Sequence, residues 1–201
     1  MIQFITRSSK SFSYEQSAEI ALKEGCKWIH LRMNADVTDE EFIKTATSIR
    51  ELCNEYHAYF IIADRVHLVK EVKADGVFLA NGDMSVEEAR NVLGPRYIIS
   101  GKAHNFDEVK SLYQEGADRI GVGIHHTTTE EGYSDILRKM NEENIPTALF
   151  AYGDFTPEDV SEIKKAGVRE IAISSRRLNG NEEKRKELVK EYVEELHKNH
   201  D

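Results

Sequence analysis

Eight short apolar segments recur along the chain, and stretches with helical spacing separate them. Each segment is nearly continuous in hydrophobicity, which is typical of parallel strands that are covered on both faces. They occupy residues 2–6, 28–33, 59–64, 76–81, 97–103, 119–125, 147–153 and 170–175. Eight parallel strands that alternate with helices in one chain predict an α/β fold, a (β/α)8 barrel of the TIM type.

The stretches between the strands carry signals for helix starts and helix ends. A Ser or Thr followed three residues later by Gln or Glu predicts a capping box, and this pattern begins at Ser13, Thr38 and Ser85. Thr156 and Pro157 form a further start signal. Glycine commonly ends helices, and it stands here at Gly25, Gly94, Gly116 and Gly167. The last helix is predicted over residues 182–200, with a charge-rich, solvated face.

The length of the chain favours one domain. At 201 residues it is long enough to bury a sizeable core and short for a barrel, so residues 1–201 are predicted to form a single (β/α)8 domain. An open, doubly wound sheet is the structural alternative. Its G-x-G-x-x-G turn would follow the first strand, where this chain reads ITRSSKS instead. The closed barrel is therefore favoured.

Composition limits the classes of partner. The net charge of −9 repels a phosphate backbone over most of the surface, which disfavours nucleic-acid binding. No segment approaches the roughly 18 apolar residues of a membrane span. Cys26 and Cys53 lack metal-ligand spacing, which suits buried thiols in a reducing compartment. We expect a cytoplasmic protein with small-molecule ligands, and leave open whether it forms a homo-oligomer.

Polar side chains are concentrated at the carboxyl ends of the predicted strands, whereas the amino ends are mostly apolar. Barrel enzymes build their active sites at the carboxyl ends, because the loops there converge. In an extended strand His30 and Arg32 point to the same side as Trp28. We therefore expect both to face a cavity, opposite the aspartates of the next two strands. The polar residues at strand ends are His30, Arg32, Asp64, Asp83, Lys102, His104, His125, His126, Asp154, Ser174 and Ser175.

Six motifs resemble those of the thiamine phosphate synthase family, and the similarity runs over residues 28–178. They are HLRMN, FIIADRV, ADGVFLANGDM, TTTE, AYGDFTPED and IAISS. The resemblance implies a barrel that joins a pyrimidine methyl pyrophosphate to a thiazole phosphate and releases pyrophosphate, with magnesium as the cofactor. Phosphorylated small molecules are then the expected substrates.

The resemblance also implies roles for individual residues. Arg32 matches the arginine that contacts the pyrophosphate, and Asp64 and Asp83 match the magnesium ligands. Lys102 could act with Arg32 and the metal to neutralise the negative charge that grows on the departing pyrophosphate. Five further positions fall in segments that bind phosphate, namely Thr127, Thr129, Gly153, Ser174 and Ser175.

Several motif positions depart from the family pattern. The family's glutamine is His30 here, its motif lysine is Asn34, and the asparagine before the metal-binding aspartate is Ala63. The lysine after the threonines is Glu130, and the second glycine of a phosphate-binding segment is Asp154. Each change removes a hydrogen-bond donor or adds negative charge where phosphate oxygens should lie. These substitutions predict weaker handling of the pyrophosphate.

Two other functions remain open from the sequence. The I-H-x-R pattern at His30 is similar to that of the thiazole tautomerases, in which His125 or His126 would be the base that moves a proton. Separately, His30, Asp83 and His125 could converge to form a zinc site. The other alternative is a barrel that has lost the synthase chemistry and binds a different small ligand or supports a partner.

Charge at the mouth of the barrel separates these alternatives. If a phosphate binds beside Asp154 and Glu130, a cation must compensate for their carboxylates. The candidates that lie near enough by sequence are Lys102, Arg176 and Arg177.

Overall fold

The computed structural model describes residues 1–123, 132–174, 177–178 and 180–198. Eight parallel strands pair in chain order, and the last strand pairs with the first, so that the sheet closes into a barrel. The strands are β1 (Ile2–Ile5), β2 (Trp28–Leu31), β3 (Tyr59–Ala63), β4 (Gly76–Leu79), β5 (Ile98–Ala103), β6 (Arg119–Val122), β7 (Ala148–Gly153) and β8 (Ile171–Ser174). The predicted (β/α)8 barrel is confirmed, with strands up to three residues shorter than the apolar segments.

Helices surround the barrel. They are α1 (Tyr14–Lys23), α2 (Asp39–Glu55), α3 (Val86–Leu93), α4 (Phe106–Gln114), α5 (Tyr133–Glu142), α6 (Pro157–Lys165) and α7 (Glu182–His197). In the described part of the chain, no helix is both long and apolar enough to cross a membrane.

The prediction of eight strand–helix units is wrong at one position. Between β3 and β4 the chain forms a 3₁₀ turn (Val66–Leu68) in place of an α-helix. Asp64 and Arg65, at the start of this connection, have φ values of 60° and 26°, and Lys73 near its end has a φ of 53°. These conformations lie outside the helical region, so little length remains for a regular helix.

The predicted helix starts and glycine stops are confirmed, and the end of the last helix differs. Capping boxes form at Ser13, Thr38 and Ser85, and Thr156 caps α6 with Pro157 in the first turn. Gly167 has a φ of 101°, a conformation that costs glycine little and other residues more. Helix α7 ends at His197 rather than at residue 200.

Two apolar layers make up the core. The larger layer lies between the strands and the helices and contains both cysteines, whose thiol pKa values burial raises to about 12. The smaller cluster fills the inside of the barrel and consists of Ile5, Trp28, Ile61, Phe78, Phe150 and Ala172. The barrel interior is therefore packed at this level, and any ligand must bind nearer to the mouth.

The amino end of the barrel is closed by charged and aromatic side chains. Arg119 forms an ion pair with Glu170, and its guanidinium carbon lies 4.7 Å from the centroid of the Trp28 ring. Gln3 donates a hydrogen bond to Glu170 over 3.4 Å. The ion pair covers the packed cluster from below, which leaves the carboxyl end of the barrel for ligands.

The same arrangement of an Arg–Asp ion pair and a backbone hydrogen bond recurs before two strands. Asp75 accepts hydrogen bonds from Arg50 of α2 and from the backbone N–H of Phe60, each at 2.7 Å. Asp118 does the same with Arg90 of α3 at 2.6 Å and the N–H of Ile99 at 2.8 Å. Each arrangement links a helix to the strand that follows it, α2 to β3 and α3 to β5.

Removing one of these carboxylates should destabilise the fold. Asp75→Ala leaves the Arg50 guanidinium, which is only 13% exposed, without its partner and the Phe60 N–H without an acceptor. We expect the free energy of unfolding to fall by about 2–3 kcal/mol, measured by urea denaturation. The exposed Asp36→Ala should change it by less than about 0.5 kcal/mol. Equal stability of the two variants would contradict the role given to Asp75.

Candidate active site

A cavity of about 740 Å³ opens at the carboxyl ends of the strands. Residues that follow or end β1, β2, β5, β6, β7 and β8 contribute to its wall, so the predicted convergence of strand ends is confirmed for these strands. The lining residues are Ile5, Thr6, Arg7, Tyr14, Arg32, Met33, Asn34, Lys102, His104, Gly123, Tyr152, Gly153, Asp154, Phe155 and Ser174. Four residues predicted for the site, Arg32, Lys102, Gly153 and Ser174, are among them.

Two cations face this cavity around one tyrosine. Arg32 donates a hydrogen bond to the hydroxyl of Tyr152 over 3.1 Å, and the ammonium nitrogen of Lys102 lies 5.4 Å from the centroid of the Tyr152 ring. Burial, and next the charge of Arg32, lower the pKa of Lys102, while Glu108 acts in the opposite direction. Within the described residues neither cation forms an ion pair with a carboxylate. An anionic ligand would satisfy both.

Tyr152 is a site residue that the sequence reasoning missed. Its ring stacks on that of Phe78, with 5.1 Å between centroids and 15° between planes. Phe150 and Tyr152 occupy alternate positions of β7, and both side chains contact Phe78 inside the barrel. The signal available in the sequence was this alternation, which puts a polar aromatic group at the inward position nearest the mouth.

The expectation that His30 faces the cavity is wrong. His30 is 2% exposed, and its ring Nε2 is 2.8 Å from Oε1 of Gln3, a neighbour on β1. Its ring also packs edge-on against Phe78, with 5.7 Å between centroids. Burial, and then the nearby charge of Arg119, lower the pKa of His30 to about 3. His30 points inward as predicted, but it lies one inward position deeper than Arg32 and belongs to the packed interior.

Asp154 has the compensating cation that its charge requires. Its Oδ1 lies 3.2 Å from Nε of Arg177, and Nη2 of Arg177 donates to the Asp154 carbonyl oxygen over 3.2 Å. Of the three candidates, Arg177 is therefore confirmed as a partner. The preceding Gly153 has no room for a side chain, because a Cβ there would lie 2.8 Å from the ring of Phe155.

Asp64 and Asp83 follow neighbouring strands, β3 and β4, but neither is among the residues that line the cavity. Asp64 is exposed, and Oδ2 of Asp83 accepts a hydrogen bond from the backbone N–H of Ala80 over 2.6 Å. Across the described ranges, no three His, Cys, Asp or Glu side chains cluster as a metal site. Two carboxylates fit Mg²⁺ in donor chemistry when substrate phosphates complete the ligand set, so magnesium binding stays a prediction.

Several predicted site residues lie outside the described residues. They are His125, His126, Thr127, Thr129, Glu130, Ser175 and Arg176. His104, by contrast, is described, and its Nδ1 donates to the carbonyl oxygen of Gly123 over 3.0 Å at the edge of the cavity.

The buried histidine should make stability depend on pH. The unfolded chain protonates His30 near its ordinary pKa of 6.5, whereas the folded protein does so only near 3. The stability that neutral His30 contributes is thus present above pH 6.5 and is lost as the pH falls from 6.5 towards 3. His30→Gln removes the titration and retains a partner for Gln3. Between pH 7 and pH 5 the wild-type protein should lose about 2 kcal/mol more than the variant.

Urea denaturation at several pH values measures this difference. The comparison with the variant separates His30 from the carboxylates, which titrate in both proteins. Parallel stability curves for the two proteins would show that His30 is not held neutral.

Comparisons with known proteins agree with this geometry. A family profile described as thiamine monophosphate synthase matches residues 2–176. The chain is 44% identical to a thiamine-phosphate synthase of Phocaeicola vulgatus, over 86% of this chain and 88% of the relative. It is 40% identical to one of Bacteroides fragilis, over 86% and 89%. A solved structure of a thiamine phosphate pyrophosphorylase from Pyrococcus furiosus superimposes with a TM-score of 0.84 at 28% identity, over 97% of this chain and 94% of that chain. The chain therefore belongs to the thiamine monophosphate synthase family.

Proposed function

We propose that this protein is a thiamine-phosphate synthase. It would join hydroxymethylpyrimidine pyrophosphate to a thiazole phosphate, forming thiamine phosphate and pyrophosphate. The observation that carries the proposal is a pair of cations, Arg32 and Lys102. Both face one cavity and have no carboxylate partner among the described residues. The names of relatives at 40–44% identity support it.

The cations suit the charge that develops in this reaction. A bond forms between the thiazole nitrogen and the methylene carbon of the pyrimidine, and the carbon–oxygen bond to pyrophosphate breaks with its electron pair. Negative charge therefore grows on the departing pyrophosphate. Preorganised cations in a partly desolvated site stabilise such charge. Arg32, held by the Tyr152 hydroxyl, and Lys102, held near its ring, are placed to do so.

Magnesium and phosphate binding are parts of the same proposal. Asp64 and Asp83 would hold Mg²⁺, which when bound neutralises part of the pyrophosphate charge. Gly153 and Ser174 line the cavity near the ends of β7 and β8, which is where barrels of this type often bind phosphate. Thr127, Thr129 and Ser175 are proposed for phosphate binding from the family resemblance alone.

The alternative functions are not favoured. The relatives described above carry the name of the synthase, and none of the observations on the described residues calls for a tautomerase. His30 is buried and held neutral beside Gln3, so it can neither act as an open acid or base nor join Asp83 at a metal. A barrel without catalysis would not need two cations without described carboxylate partners facing one cavity, and the partial burial of Lys102 disfavours its charged form.

We also propose that the enzyme works in the cytoplasm on small phosphorylated substrates. Two buried, free thiols suit a reducing compartment.

Neutralising either cation should reduce turnover. Arg32→Gln and Lys102→Gln should each lower kcat/KM for pyrophosphate release by about 100-fold or more, because each removes a charge that the leaving group needs. The control is Arg96→Gln, an exposed arginine away from the cavity, which should keep wild-type activity. Circular dichroism verifies folding. Activity within about threefold of wild type in both cavity variants would overturn the proposed role.

The magnesium proposal has a separate test. A chelator should abolish turnover, and added Mg²⁺ should restore it. Asp64→Asn should raise the Mg²⁺ concentration needed for half-maximal rate by about tenfold or more, whereas the exposed Asp36→Asn should not. An unchanged magnesium requirement in Asp64→Asn would remove this aspartate from the metal site.

A further inference from the structure

The ion pair between Asp154 and Arg177 occupies a place that other barrels use for phosphate. In (β/α)8 enzymes the phosphate site is often formed by the loops after β7 and β8. Asp154 directly follows β7, and Arg177 comes three residues after the end of β8. Their side chains meet at 3.2 Å, and Asp154 lines the cavity. A carboxylate of the protein thus lies at the strand ends where such barrels often bind phosphate.

The Asp154–Arg177 ion pair changes which groups of a ligand can bind beside it. The charge of the Arg177 guanidinium is balanced by Asp154, so little attraction for a phosphate remains. A phosphate oxygen that approached Arg177 would also approach the Asp154 carboxylate, and like charges in contact are strongly unfavourable. A hydroxyl group meets no such repulsion, and it can donate a hydrogen bond to the carboxylate.

We propose that Asp154 is a specificity-determining residue that lets this enzyme use a thiazole with a free hydroxyl about as well as the thiazole phosphate. The inference rests on the proposed function and specifies which thiazole substrates the same site accepts. The same carbon–nitrogen bond forms and the same carbon–oxygen bond to pyrophosphate breaks with either substrate. With the alcohol, the products are thiamine and pyrophosphate, and no further reactant is needed.

Arg7 is another cation that could bind a phosphate in this cavity. It follows β1, the neighbour of β8, and it lines the cavity. Within the described residues it forms no ion pair with Asp154. A phosphate held by Arg7 alone would be insensitive to a change at Asp154, and this difference makes the proposal testable.

The experiment compares two substrates in matched variants. The thiazole alcohol and the thiazole phosphate are each assayed with the pyrimidine pyrophosphate, and the ratio of the two kcat/KM values is recorded. For the wild type we expect a ratio, phosphate over alcohol, below about 10. Asp154→Asn keeps Arg177 and removes the opposing charge, so the ratio should rise by about tenfold or more. The control, Glu158→Gln, changes the same charge on the exposed first turn of α6 and should leave the ratio unchanged.

Binding of the products gives a second measurement that does not depend on turnover. Calorimetric titration with thiamine and with thiamine phosphate should show similar affinities for the wild type and a selective gain for thiamine phosphate in Asp154→Asn. In the double variant Asp154→Asn with Arg177→Gln, that gain should disappear, because the freed guanidinium is its source.

The outcomes separate the two proposals. A wild-type preference for the phosphate of 100-fold or more, or an Asp154→Asn ratio equal to that of Glu158→Gln, overturns the specificity inference and leaves the synthase proposal intact. A weaker affinity of Asp154→Asn for thiamine phosphate also overturns it, since Asp154 would then position Arg177 for the phosphate. No turnover and no binding with either form of the ligand would instead defeat the proposed function.

Discussion

Closure of the barrel between β8 and β1 is the constraint on which the rest of the structure depends. It gives every strand two hydrogen-bonded neighbours, and it turns alternate side chains of each strand towards one central axis. Because the strands are parallel, their carboxyl ends meet at a single mouth. A side chain's distance from that mouth then decides its role: His30 packs in the interior, while Arg32, two residues later, reaches the cavity.

The charged residues at the cavity form two electrostatically different groups. Arg32 and Lys102 surround Tyr152 with positive charge that no carboxylate in the described residues balances, and this suits a leaving group that gains negative charge. After β7 and β8, Asp154 and Arg177 balance each other. The first group can stabilise an anion, whereas the second carries balanced charge.

Much of the site could be predicted from local patterns, and the misses share a cause. Arg32, Lys102, Gly153 and Ser174 line the cavity because they stand at strand ends, which apolar patterning locates well. His30 was misplaced because alternation gives the face of a strand but not the depth within the barrel. Tyr152 was overlooked because its importance arises from contacts with Phe78 and Arg32, which belong to other strands.

The sequence by itself determined the order of strands and helices, the helix caps and the polar character of the mouth, since these follow from hydrophobic periodicity and from short-range hydrogen bonds. Only the tertiary structure decided that β3 leads into a 3₁₀ turn, that His30 is sealed beside Gln3, and that Arg177 neutralises Asp154. Each of the last two contacts joins neighbouring strands or their loops across more than twenty positions of the chain. Such contacts exist only once the barrel has closed, and no local pattern encodes them.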